Sequence, residues 1–173
     1  MRVALKSHPQ TQCRVATAIE VDAVRPRPGV LELRYVLSGD VERLLVPTRA
    51  APVRADELWR HTCFEAFIAI PRSESYFEFN FSPSTQWAAY HFQGYRDRMS
   101  NAVEIPAPVI EIETRPSHFE LRVGVSYPNS APWRLALCAV IEATGGEKSY
   151  WALAHPPGEP DFHHADGFVL ELP

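Results

Sequence analysis

The sequence predicts an all-β fold, two packed antiparallel sheets forming a β-sandwich, jelly-roll-like with immunoglobulin-like layering. Three observations predict it. Sixteen prolines are spread over 173 residues, and no segment sustains a helical period. Between the prolines lie short runs rich in Val, Ile, Phe, Tyr and Thr, in which apolar and polar side chains alternate. A chain of this length suits one domain, here 1–173, and can bury roughly 70% of its unfolded surface without disulfides or a metal.

The runs read in order as strands at 15–24, 30–37, 42–46, 62–70, 76–81, 86–93, 109–114, 118–126, 134–142, 149–154 and 167–172. Turn-forming stretches separate them: RPRPG, SGD, PRSES, SPST, SYPNSAP, ATGGE and HPPGEP. ADELWRH (55–61) is suited to one helical turn ahead of the strand that follows. FELRVGV (119–125) is half-buried, with Phe119, Leu121, Val123 and Val125 inward and Glu120, Arg122 and Gly124 outward. RLALCAVIEA (134–143) is apolar on both sides, which places it mid-sheet with both faces covered.

The segment YFEFNFSPSTQWAAYHF (76–92) carries the chemistry that a core does not require. With SPST (82–85) as the connection, Phe81 faces Gln86 and Asn80 faces Trp87. One face then holds Phe77, Phe79, Phe81, Ala88, Tyr90 and Phe92, which suits a core. The other holds Tyr76, Glu78, Asn80, Trp87, Ala89 and His91. In the preceding strand Phe64, Ala66, Ile68 and Ile70 join the core set, so Glu65 falls on the second face. A six-residue turn at 70–75 sets Glu65 opposite Asn80, making one row of carboxylate, carboxamide and indole. A sugar requires a flat aromatic surface for its C–H face and paired polar groups for its hydroxyls, and this row offers both. The alternative is a satisfied polar layer beneath a loop.

Charge excludes some partners. Lys plus Arg number 17 against 21 acidic residues, a net of 17 − 21 = −4, with no basic stripe for nucleic acid. No apolar run reaches membrane-spanning length, and MRVALKSHPQTQC has neither a long apolar core nor a small-residue cleavage site. A soluble, cytoplasmic protein is the expectation. Cys13, Cys63 and Cys138 have no CxxC pairing and read as reduced, inert thiols. No metal is expected, since Asp161 and Asp166 lack the spacing of a calcium loop.

ELWRHTCFEAFI (57–68), YFEFNFSPSTQWAAYHFQGYR (76–96) and SYWALAHPPGEPDFHHADGFVLEL (149–172) together resemble bacterial DOMON-like domains, which are similar to family 9 carbohydrate-binding modules. The resemblance covers most of the chain beyond residue 50. It implies a β-sandwich with a non-catalytic ligand site. It implies Trp59 as platform, Glu65, Glu78 and Asn80 as hydroxyl partners, and the loop at 155–164, with His155, Phe162 and His163, as lid. Trp87 completes the row, and Arg96 is a candidate for an anionic group on the ligand. Three alternatives to the sugar site stay open. One is haem or metal binding, implied by some DOMON domains and by the histidines of the lid. Another is a glycosidase-like enzyme using Glu65 and Glu78. The last is a sandwich that binds a protein partner.

Overall fold

The computed structural model describes residues 1–11, 13–127 and 131–173. Twelve strands are present among them: β1 (Arg2–Ser7), β2 (Ala16–Arg27), β3 (Val30–Gly39), β4 (Cys63–Ala69), β5 (Tyr76–Phe81) and β6 (Trp87–Phe92), then β7 (Ser100–Asn101), β8 (Val109–Arg115), β9 (His118–Ser126), β10 (Trp133–Glu142), β11 (Lys148–Ala152) and β12 (Leu170–Leu172). Their pairings are antiparallel. One sheet runs β1-β2-β3-β9-β8 and the other β7-β6-β5-β4-β10-β11, with β12 on the end of β10. β1 belongs to both: its first part pairs with β2 through Arg2 to Leu5, and Lys6 and Ser7 pair with β11.

The two sheets pack face to face because strand alternation puts an apolar row on each inner surface. Leu31, Leu33, Tyr35 and Leu37 of β3 and Phe119, Leu121, Val123 and Val125 of β9 come from the first sheet. They meet Phe64, Ala66 and Ile68 of β4, Phe79 and Phe81 of β5, and Leu135, Leu137, Ala139 and Ile141 of β10. Phe64 stacks on Phe119 with ring centres 5.9 Å apart. Tyr35 crosses the sandwich and donates its hydroxyl to the Glu65 carbonyl at 2.8 Å, which satisfies both groups in the interior. Outward on the first sheet, Glu120 is ion-paired to Arg34 and Arg122.

As the sequence indicates, β10 is central, flanked by β4 and β11, and covered on both sides. Its outward residues Ala136 and Cys138 join a second apolar cluster on the outer face of the second sheet, with Phe67, Tyr76, Ala88, Tyr90, Phe92, Ala152 and Phe168. All three cysteines are free and buried. The single turn expected in ADELWRH spans Leu58–Arg60.

Three parts of the strand assignment are corrected. Residues 42–46 are not a strand: Val41–Arg43 form one 3₁₀ turn. Val41 and Leu44, three apart, both turn inward, and Leu44 makes only an isolated bridge to Ala143. β1 and β7 are strands that the sequence reading did not mark. Part of the SYPNSAP connection, at 128–130, lies outside the described residues.

The third correction concerns the hairpin. Its loop is five residues, not four, so Phe81 pairs with Trp87, Asn80 with Ala88 and Glu78 with Tyr90. Thr85 takes a left-handed φ of 75°, its N–H bonds the Ser82 carbonyl, and Ser82 N–H bonds Gln86 O, closing the longer loop. A one-residue change of register turns every side chain of β6 over. Trp87 and Ala89 therefore enter the main core, while Tyr90 and Phe92 move to the face of Glu78.

Candidate functional site

The outer face of the second sheet carries the candidate site. On β4, Cys63, Glu65 and Phe67 point outward; β5 contributes Tyr76, Glu78 and Asn80, and β6 contributes Ala88, Tyr90 and Phe92. The expected six-residue turn at 70–75 is present, and Glu65 lies opposite Asn80. Its row continues to Ala88 rather than to an indole. Above this floor is a pocket of about 800 Å³. Glu65, Glu78, Val140 and Phe92 line it from the sheet; Trp59, Arg96, Phe162 and His163 line it from connecting segments.

The carboxyls dominate its electrostatics. Glu65 is 3% exposed, and its Oε1 has no hydrogen-bond partner among the described residues. Burial first, and the neighbouring Glu78 second, push its pKa well above the ordinary carboxyl value, so Glu65 favours the neutral acid. Glu78 is also raised by burial, but less freely. Asn80 Nδ2 donates to its Oε1 at 2.7 Å, and Arg96 pulls the other way. Asn80 is buried behind the pocket wall, so it supports Glu78 and does not face the cavity.

A strap formed by 155–168 closes one side. Asp161 pins it, accepting from Tyr95 Oη at 2.6 Å, Arg96 Nη2 at 2.8 Å and the His163 N–H at 3.1 Å. Arg96, in a left-handed turn with φ 52°, donates its backbone N–H to Tyr76 Oη at 3.2 Å. Tyr76 Oη in turn lies 2.7 Å from His163 Nδ1. That hydroxyl thus accepts from Arg96 and shares a second hydrogen bond with Nδ1, whose direction follows the imidazole tautomer. The imidazole is packed edge-on against Phe67 and Phe92. Burial, then the Arg96 charge, lowers its pKa to about 4. Its Nε2 is 3.7 Å from Glu78 Oε2, too far for a hydrogen bond, and with the ring held neutral the contact is no ion pair.

Aromatic surface comes from several directions. Trp59 is half exposed on its single turn, and Tyr150 of β11 meets Phe162 of the strap at 6.0 Å. Tyr90 bonds Asp56 Oδ1 at 2.7 Å, fixing the rim.

The structure thus brings Trp59, Glu65, Glu78, Arg96, Phe162 and His163 to one cavity, with Asn80 behind it. Two expected residues are elsewhere. Trp87 is on the opposite side of the sheet, 5% exposed, under the Arg54 guanidinium at 4.3 Å. His155 bonds the Lys6 carbonyl at 2.8 Å and meets the His8 ring at 4.9 Å, beside β1 and away from the pocket. Arg96 is engaged by Asp161 rather than free for an anion. The lid histidines diverge to separate partners, with His164 facing Asp166, and among the described residues no group of three or more His, Cys, Asp or Glu is disposed to hold a metal. Tyr90 and Phe92, which the sequence reading assigned to the core, and Tyr150, which it did not single out, line the cavity. A five-residue hairpin loop was the signal that would have found the first two.

No family model matches the chain, and no curated protein matches it. Among solved structures, it is similar to a proposed carbohydrate-binding protein from Bacteroides uniformis, with a TM-score of 0.60 and 11% identity over 87% of this chain and 76% of that one. At that identity the likeness shows a shared fold. Family 9 carbohydrate-binding modules from Caldicellulosiruptor kristjanssonii also match. One, in complex with glucose, has a TM-score of 0.48 and 7% identity, covering 89% of this chain and 76% of that one. The other, in complex with cellotriose, has a TM-score of 0.48 and 6% identity, covering 84% and 72%.

Proposed function

We propose that the protein is a non-catalytic binding domain for a sugar or sugar derivative, held in the pocket over the outer face of the second sheet. The observation that carries this reading is the buried, unpartnered Glu65 Oε1 at the floor of a cavity walled by aromatic rings. A buried polar atom without a partner is costly, commonly about 1–3 kcal/mol, and a ligand hydroxyl placed against it would recover that cost. Trp59 and Phe162 supply apolar surface for C–H groups, and Glu78, oriented by Asn80, supplies a second polar contact. The fold shared with a Bacteroides protein that is itself proposed to bind carbohydrate is in keeping with it.

Hydrolysis fits less well. A glycosidase pair requires one carboxylate ionised as nucleophile or base, whereas burial drives both Glu65 and Glu78 toward the neutral acid.

Titration calorimetry with a panel of mono- and oligosaccharides tests the reading. Binding should weaken by about tenfold or more in Trp59→Ala and in Glu65→Ala. Unchanged affinity in both variants, or no binding of any sugar by the native protein, would overturn it.

A further inference from the structure

Resting on that reading of the pocket, we infer that its preferred ligand is cationic: an amino sugar whose ammonium group is placed against Glu65 and Glu78, between aromatic walls. Four carboxyl residues line the cavity, Asp56, Glu57, Glu65 and Glu78, against one guanidinium, Arg96. That guanidinium is already bound to Asp161. Two of the four carboxyls are also engaged, Asp56 with the Tyr90 hydroxyl and Glu57 with Arg60. What remains is the Glu65–Glu78 pair at the floor.

The pair occupies diagonal positions on adjacent strands, since Glu65 faces Asn80 and Glu78 is two residues from Asn80 on the same face. Glu78 has its Oε1 satisfied by Asn80. Glu65 has an oxygen with no partner. Two buried carboxyls with no cation between them are arranged for a group that brings both a positive charge and several N–H donors, and an ammonium brings both. Trp59, Tyr90 and Phe162 line the same cavity, and aromatic rings attract a cation but give a neutral hydroxyl no such advantage.

The charged and titratable neighbours of Glu65 agree with this. On its own strand and on β10 it has the Cys63 and Cys138 thiols, whose pKa values burial pushes up, so both stay neutral. From β3 the Tyr35 hydroxyl bonds its carbonyl, and that phenol is likewise held protonated by burial. Across the cavity are Glu78, Tyr90, Arg96, Tyr150 and His163, with Asp56 and Glu57 at the rim. His163 is neutral above about pH 4. No cation in this set contacts Glu65.

The step balances as an ion exchange. The ligand enters as R–NH₃⁺, the Glu65 acid loses its proton to water, and an ammonium–carboxylate contact forms with release of up to one proton. Affinity for an amino sugar therefore rises with pH until Glu65 ionises in the free protein or the ammonium itself loses its proton. A neutral sugar shows neither effect.

Calorimetry on the full chain with glucose against glucosamine, galactose against galactosamine, and the N-acetylated forms decides it. Runs at about pH 6 in two buffers of different ionisation enthalpy read proton release. An amino sugar should bind about tenfold or more tightly than its neutral and N-acetyl counterparts, with proton release. Glu65→Gln and Glu78→Gln, each checked for native circular dichroism, should reduce that preference to about twofold or less. Neutral sugars binding as well as amino sugars, with no proton release, would overturn this inference and leave the sugar site standing. No binding of any member would remove both.

Discussion

Glu65 lies directly opposite Asn80 across the β4–β5 pair, yet the Asn80 amide donates to Glu78 at 2.7 Å, leaving Glu65 Oε1 without a partner. The amide thus makes Glu78 a positioned contact and Glu65 an unsatisfied one.

That asymmetry sets a pH dependence. The folded-state pKa of Glu65 is raised above its unfolded value. Its contribution to stability is thus present below the ordinary carboxyl range and is lost as pH rises through the raised value. Glu65→Gln, neutral at every pH, should gain on the native protein in melting temperature as pH goes from about 5 to about 8. Thermal melts of both proteins across that range check it. A constant difference would mean that Glu65 is not held protonated.

His163 produces a window of the opposite direction. Its folded-state pKa, about 4, is below the 6.5 of a free imidazole. Stability is complete above the higher value and is lost as pH falls from one to the other, to a total of about 3 kcal/mol. Denaturant titrations at about pH 7 and about pH 4 should show that loss in the native protein and not in His163→Gln. Equal losses would place the acid sensitivity elsewhere.

Two of the four tryptophans separate the candidate site from the core. Trp59 is 49% exposed, so Trp59→Ala should change stability by less than about 0.5 kcal/mol while weakening ligand binding. Trp87 is buried beneath Arg54, and Trp87→Ala should cost about 3–5 kcal/mol. Chemical unfolding with calorimetry checks both. A strongly destabilised Trp59→Ala would contradict the placement of that indole on the rim.

Asp161 holds the strap through Tyr95, Arg96 and the His163 N–H. Asp161→Ala should speed amide exchange across 161–168 by about tenfold while β10 keeps its protection. Hydrogen-exchange mass spectrometry reads both regions at once. Unchanged exchange in the strap would show that apolar packing of Phe162 and Phe168 suffices to hold it.

Most of the fold was legible because strand alternation has a period of two and the core uses it: Phe64, Ala66 and Ile68, and Phe119 to Val125, are inward as their spacing requires. The six-residue β4–β5 turn likewise fixed Glu65 against Asn80. The β5–β6 register was not legible, because it depends on Thr85 adopting a left-handed φ without the Gly or Asn that would signal it. That single residue exchanged Trp87 for Tyr90 on the site face. The strap escaped for another reason. Asp161 and His163 act on residues 65 to 87 positions away, and no local period records such contacts. β1 has only Leu5 buried, too little contrast to mark a strand.

β1, hydrogen-bonded to β2 along one part and to β11 along the next, makes the two sheets a continuous ribbon folded at a corner. A pulling force applied along this strand would load both sheets together rather than unzip one. Shear resistance along this strand would then rest on the few bonds at Leu5, Lys6 and Ser7, beside the β11 segment whose Tyr150 lines the cavity and the strap residue His155 that bonds Lys6, so that tension there would reach the cavity wall directly.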